Sequence, residues 1–270
     1  IYNPFDTYKD ANGVTKRNPF PNNIIPSNMI DPVSLKALKY IPTANSVPTN
    51  ANTFANNFYA QGIDLGQTNQ SDAKIDHVFS DRWRITGRYS ILRNAGTPAN
   101  MWATSDQSIA AANSPNTGPN YTHTQSASVN ATFMQNPSTV WVMNYGMVYS
   151  DYGRLPFVDF DSSSLGLPKY MFDNAAYKAF PFFNGFGIDI GTQGWLIMDR
   201  QEGVHQFSGS MTKTIGSHTI KAGAETRHNY LDYAQPGYPQ GHFSFGQQTT
   251  SQDLSSGNSL QGSAFASFLL

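Results

Sequence analysis

After residue 70 the apolar residues of this chain recur at every second position, in runs of roughly ten residues or more. In residues 82–92, Trp83, Ile85, Gly87, Tyr89 and Ile91 alternate with Arg84, Thr86, Arg88 and Ser90. Residues 124–134 set Ala127, Val129, Ala131 and Phe133 against Ser126, Ser128, Asn130 and Thr132. Residues 204–214 set Phe207, Gly209 and Met211 against Gln206, Ser208, Ser210 and Thr212. In 218–232, Ile220, Ala222 and Ala224 oppose Lys221, Gly223, Glu225, Arg227 and Asn229. A further strand is predicted over 139–152, but both of its sides are mixed and alternation does not say which is apolar. A period of two commits a segment to a strand with one apolar face, whereas a helix would scatter the same residues around its axis. These runs exceed the five or six residues usual in soluble sheets.

The connections sharpen this. Ser80-Asp81, Gln135-Asn136-Pro137-Ser138 and Gly216-Ser217 are tight-turn sequences that join strands in pairs. Long segments, 93–123 and 153–202, separate the pairs. Structureless loops of that size count against an ordinary sandwich. A transmembrane barrel expects them, with short turns on the periplasmic side, long loops outside, and strands alternating apolar-out and polar-in. The fold predicted is therefore all-β, part of an antiparallel transmembrane β-barrel of about seven strands over residues 71–270.

Composition agrees. Charged residues make up 13% and hydrophobic residues 39%, and mean hydropathy is −0.43. Uncharged polar residues fill the difference, among them 24 Asn. A closed barrel satisfies its backbone between strands, so lipid needs only alternate side chains. No run approaches 18 apolar residues, so no transmembrane helix is expected. A net charge of −1 argues against a nucleic-acid binder carried by bulk charge. With no cysteine, disulfides, Cys-ligated metals and thiol nucleophiles are excluded. Trp83, Trp141, Tyr149, Tyr152, Tyr230 and Tyr233, near strand ends, suit either interfacial girdles or ordinary sheet packing.

Residues 1–70 read as an extracellular loop region of successive Asn-Pro turns with one short helix, started by Asp31 and Pro32 and stopped by Pro42. The absence of an initiator Met and the apolar closing residues lead us to expect a segment of a longer protein.

Catalytic signals are weak, and no enzyme is expected. The histidines His77, His123, His205, His218, His228 and His242 lack metal-ligand spacing. Asp159 and Asp161 imitate a carboxylate pair without supporting signal, and Gly185, Gly187 and Gly191 depart from the dinucleotide fingerprint. Neither a cofactor nor a metal is implied. The charged residues on polar strand faces, Arg84, Arg88, Lys221, Glu225 and Arg227, are candidates to line the lumen and contact what passes through it, or else to satisfy one another as lumen ion pairs. Phe182, Phe183, Phe186 and Trp195 in the long segment either contact a ligand or pack over the barrel mouth.

Several segments resemble TonB-dependent receptors of the Oar-like type. They are Ile1-Tyr2-Asn3-Pro4-Phe5, Arg17-Asn18-Pro19-Phe20-Pro21-Asn22-Asn23-Ile24-Ile25-Pro26 and Ile30-Asp31-Pro32-Val33 near the start. Lys74-Ile75-Asp76-His77-Val78-Phe79-Ser80-Asp81 with Gly87-Arg88-Tyr89-Ser90 is similar to a family hairpin, and His218-Thr219-Ile220-Lys221-Ala222-Gly223-Ala224-Glu225 and Ala264-Phe265-Ala266-Ser267-Phe268-Leu269-Leu270 to later segments. The resemblance implies a 22-stranded plugged barrel in the outer membrane of a Gram-negative bacterium, with an upstream carboxypeptidase-regulatory-like domain. It also implies energy-coupled uptake of a small or oligomeric solute, with outer-membrane lipid and the TonB complex as partners. A passive porin or adhesin, and a secreted carbohydrate-binding β-sandwich, remain the alternatives.

Overall fold

The computed structural model describes residues 1–50, 56–99, 102, 118–156, 159–253 and 261–270. Its first elements are β1 (Tyr2–Lys9), β2 (Thr15–Pro19), α1 (Pro32–Leu38), β3 (Leu65–Ser80), β4 (Trp83–Thr97), β5 (Asn120–Asn136) and β6 (Thr139–Arg154). There follow α2 (Lys169–Asp173), β7 (Phe182–Asn184), β8 (Met198–Ile215), β9 (His218–Ala234), β10 (His242–Ser244) and α3 (Ala264–Leu269). No helix among the described residues is long and apolar enough to cross a membrane.

Six long strands form one antiparallel sheet in the order β3-β4-β5-β6-β8-β9. They run 15 to 18 residues, well past the predicted segments. Each hairpin turn is two residues. At Pro137-Ser138, the Asn136 carboxamide accepts from the Ser138 amide at 3.0 Å, a side-chain mimic of a backbone turn. Gly216 takes a φ of +59°, which the last turn requires and a Cβ would resist. Bulges at Phe79 and Gln135 lie beside two of these turns.

The register settles which residues share a face, because directly opposed residues of an antiparallel pair point the same way. Trp83 opposes Phe133, Phe133 opposes Trp141, Trp141 opposes Met211, and Met211 opposes Ala222. The apolar side of β6 is therefore Trp141, Met143, Tyr145, Met147 and Tyr149. Tyr152 opposes Arg200, which opposes Tyr233; both tyrosines lie on the polar face, so the girdle expectation is corrected for them. Among the described residues no second sheet covers the apolar face, and Ile220 on it is 53% exposed. The sheet is open, with β3 and β9 each paired on one side and exposed along their whole length.

At the end of the sheet opposite the turns, the other described residues pack around a core of their own, an outer domain. The start of the chain adds a two-stranded β1–β2 hairpin to the expected helix. Helix α1 starts as read, with Asp31 capping the Val33 amide at 2.7 Å and Pro32 in the first turn. Its Ser34 hydroxyl donates to the Phe268 carbonyl, and the Asp31 amide donates to the Leu269 carbonyl at 2.8 Å, tying α1 to α3. Leu165, Phe180, Phe183, Phe186, Ile190 and Phe268 form the core. Phe186 stacks on Phe268 with centroids 4.2 Å apart. Gly191, at φ +93°, is needed because a Cβ there would stand 1.9 Å from the Pro181 carbonyl.

Candidate functional site

The polar face is built from alternate residues of all six strands. At its β3–β4 side, Arg88 donates to Asp72 at 2.9 Å, and the Ser90 hydroxyl and Gln70 carboxamide bond to the same carboxylate. Next along, Lys74 pairs with Asp76 at 2.8 Å, and Asp76 accepts from Thr86 at 2.6 Å. Arg84 opposes Val78 on this face. On β9, Arg227 lies 3.6 Å from Glu225 and donates to Gln206 at 3.3 Å, with Lys221 opposite Thr212. Arg88, Arg227 and Glu225 thus have charge partners. These pairs are solvated, with Arg88 and Asp72 side chains 58% and 38% exposed, so their value lies in placing charge rather than in stability.

Sequence reasoning missed the acidic partners on β3. That strand carries only Ala73 and Ile75 as apolar residues on its other side between Asn69 and His77, so its alternation is faint; the sequence Asp72-x-Lys74-x-Asp76 was the available signal. It also missed Arg200 and Glu202, which pair at 2.6 Å, because β8 begins at Met198 inside what read as loop.

Between these charged flanks the centre of the face is uncharged. β5 presents Thr124, Ser126, Ser128, Asn130 and Thr132; β6 presents Asn144, Gly146 and Val148; β8 presents Val204, Gln206, Ser208 and Ser210. Asn144 donates to Ser208 at 3.2 Å. Where the side chains are smallest, at Ser126, Ser128 and Gly146, the surface recedes into a trough of 430 Å³ walled by Arg88 and Gln206.

The outward face carries two aromatic levels. Trp83 stacks on Phe133 at 4.4 Å near the turns, and the neighbouring Trp141 donates its indole N–H to Gln135 at 3.0 Å. Tyr149 and Tyr230 mark the upper level, 6.5 Å apart. Eight residues from Trp141 to Tyr149 are about 26 Å along the strand, or about 20 Å in height at a tilt of about 40°, close to the apolar band of an outer-membrane barrel. One step above, Arg93, His123, Asp151, Gln201 and Asp232 form a polar row in register, as expected outside hydrocarbon.

In the outer domain, Phe182, Phe183 and Phe186 are buried. Phe183 stacks against Phe243 at 5.0 Å, and Phe182 lies against Tyr238 and His242. The structure uses them as core. Trp195, by contrast, is 63% exposed. Asp161 caps a 3-10 turn by accepting from Ser163 at 2.9 Å, and Ser163 holds its carboxyl below the usual range. Among the described residues, no group of three or more His, Asp or Glu side chains is placed to hold a metal ion.

No curated protein is significantly similar to the chain. The outer membrane beta barrel domain family matches residues 1–270. With an exposed apolar face bounded by two aromatic levels, a polar opposite face and short turns at one end only, the chain belongs to the outer membrane beta barrel domain family, and it resides in the outer membrane of a Gram-negative bacterium.

Proposed function

We propose that the chain is part of the barrel of a TonB-dependent receptor of the Oar-like type and serves energy-coupled uptake of a solute. One observation carries the reading: the strands run 15 to 18 residues, where about 9–11 suffice to span a membrane. Strand ends that outrun the membrane, with an aromatic-cored domain above them, suit an external vestibule, which selective capture needs and passive diffusion does not. The open edges of β3 and β9 fit a larger barrel, because an unpaired edge in lipid leaves backbone groups unsatisfied. The polar face, with its charge pairs and neutral trough, suits a wall that meets a plug and a passing solute. The segments that carry the resemblance fall on β1–β2 and α1, the β3–β4 hairpin, β9 and α3.

Two measurements test this with the full-length protein. In planar bilayers a plugged receptor stays closed at rest, whereas steady ohmic conductance would identify a passive porin. In cells, accumulation of the solute should stop when TonB is deleted or the proton gradient is collapsed. Uptake that continues unchanged refutes energy coupling.

A further inference from the structure

Trp195 joins an exposed side chain to a constrained backbone. Its side chain is largely in water, yet its backbone is held in the left-handed region at φ +66°, uncommon for a bulky residue. Three hydrogen bonds fix it there. Its amide donates to the Gly237 carbonyl at 3.1 Å, and its own carbonyl accepts from Arg154 at 3.4 Å and from the Gln235 carboxamide. Arg154 also donates to the Leu196 carbonyl. Two segments pack reciprocally: the indole lies over Gly237, and the Tyr238 ring lies over Gly194, where a Cβ would come within 2.8 Å of it. Tyr238 is itself exposed and stacks on His242 at 4.2 Å. The result is a rigid aromatic surface, held at a cost in backbone strain, of the kind found at binding sites.

Its position decides what it meets. Arg154, whose guanidinium anchors the segment, is five residues above Tyr149 on β6, about 12 Å beyond the upper aromatic level at the tilt used above. Trp195 is therefore out of reach of hydrocarbon and faces water. From the level of Arg154 down to Gly146 in the trough is about 26 Å along β6, and between them the centre of the polar face offers hydroxyl and amide groups. The charges within that stretch are paired or already engaged: Arg200 pairs with Glu202 on β8, opposite Tyr152 and Ser150, and Arg154 is held on the Trp195 and Leu196 carbonyls. An anionic solute would call for uncompensated cations, and a fully apolar one for a dry pocket. A ring with an apolar C–H face and a hydroxylated edge suits both surfaces.

Resting on the receptor reading, we infer that Trp195 and Tyr238 form the entry platform for a neutral oligosaccharide, stacking a pyranose ring above a hydroxyl-lined wall. Preorganisation of the indole lowers the ordering cost of a contact that is weak per ring.

The test is calorimetric titration of the full-length protein in detergent with maltohexaose, cellohexaose, chitohexaose and mannohexaose, and with hexagalacturonate as the anionic counterpart. At least one neutral hexasaccharide should bind. Trp195→Ala should weaken it by at least about tenfold, Trp195→Phe should retain most of the affinity, and Tyr238→Ala should weaken it to a smaller degree. Folding of each variant is checked by heat-modifiable mobility. Absence of binding by every neutral sugar, unchanged affinity in Trp195→Ala, or equal affinity for hexagalacturonate overturns the inference. Binding in detergent needs no TonB, so sugar binding without TonB-dependent uptake would sink only the transport reading. TonB-dependent uptake of another solute, with no sugar bound, would sink only the platform.

Discussion

Val129 and Asn130 are neighbours in the chain with opposite fates, and one substitution placed at each interrogates the whole assignment of faces. Val129 opposes Tyr145, which stands midway between the aromatic levels of Trp141 and Tyr149, and is 44% exposed on the outward face. Asn130 opposes Asn144 on the polar face. An arginine on the lipid side costs about 2–4 kcal/mol at the bilayer midplane and about 0–1 near the interfaces. Val129→Arg should therefore lower the folding equilibrium constant by about 30- to 700-fold, taking tenfold per about 1.4 kcal/mol. Asn130→Arg adds a charge to a solvated wall and should change it by less than about tenfold. Gln125→Arg, opposite Tyr149 at the upper level, should fall near the interfacial value. Reversible urea unfolding in phospholipid vesicles, followed by tryptophan fluorescence, reads all three on the full-length protein. Equal losses at Val129 and Asn130 would refute a two-faced sheet, and a larger loss at Asn130 would invert it.

Other consequences concern the outer domain. Phe268, 1% exposed and ringed by Phe183, Phe186 and Phe245, should cost about 3–5 kcal/mol as Phe268→Ala; limited proteolysis should speed up in the loops while the strands stay protected, and unchanged cleavage would contradict a cooperative core. Gly191→Ala forces a Cβ against the Pro181 carbonyl and should loosen the same domain, seen as faster amide exchange around Phe183 and Ile190. Asp10 accepts from the Val14 amide at 2.9 Å and pairs with Lys16 at 3.1 Å, which together hold its carboxyl below the ordinary value. A lowered carboxyl stabilises the folded hairpin above the unfolded value, and that contribution disappears as pH falls through the folded one. Val14 amide exchange, corrected for intrinsic rates, should therefore rise on acidification below about pH 4, and Asp10→Asn should abolish the pH dependence; a pH-independent wild type would show that the carboxylate does not latch the turn.

Much of the fold is written locally. Period-two alternation in β4, β5, β8 and β9, the Gly216-Ser217 turn and the Asp31-Pro32 helix start are each encoded within a few residues and form where expected, while the turns read at Ser80-Asp81 and Gln135-Asn136-Pro137-Ser138 close at Asp81-Arg82 and Pro137-Ser138. β3 was faint because its outward side is nearly as polar as its inward one. The first five residues of β8 hid in an apparent loop, since Asp199, Arg200, Gln201 and Glu202 carry no alternation. Of the candidate residues, the placement of Arg88 and Arg227 on the polar face was legible, but not their bonds to Asp72 and Gln206, which come from other strands.

The sequence by itself determined that this chain makes long two-faced strands joined alternately by tight turns and long excursions, because side-chain period and turn chemistry are local properties. Only the tertiary structure decided which side of β6 meets lipid, that Tyr152 and Tyr233 turn to the polar wall, and that Phe182, Phe183 and Phe186 disappear into a core while Trp195 stays in water. Those outcomes depend on register and on packing between segments far apart in the chain. A residue's own neighbours in sequence carry no record of what it will oppose across a sheet or beneath a loop.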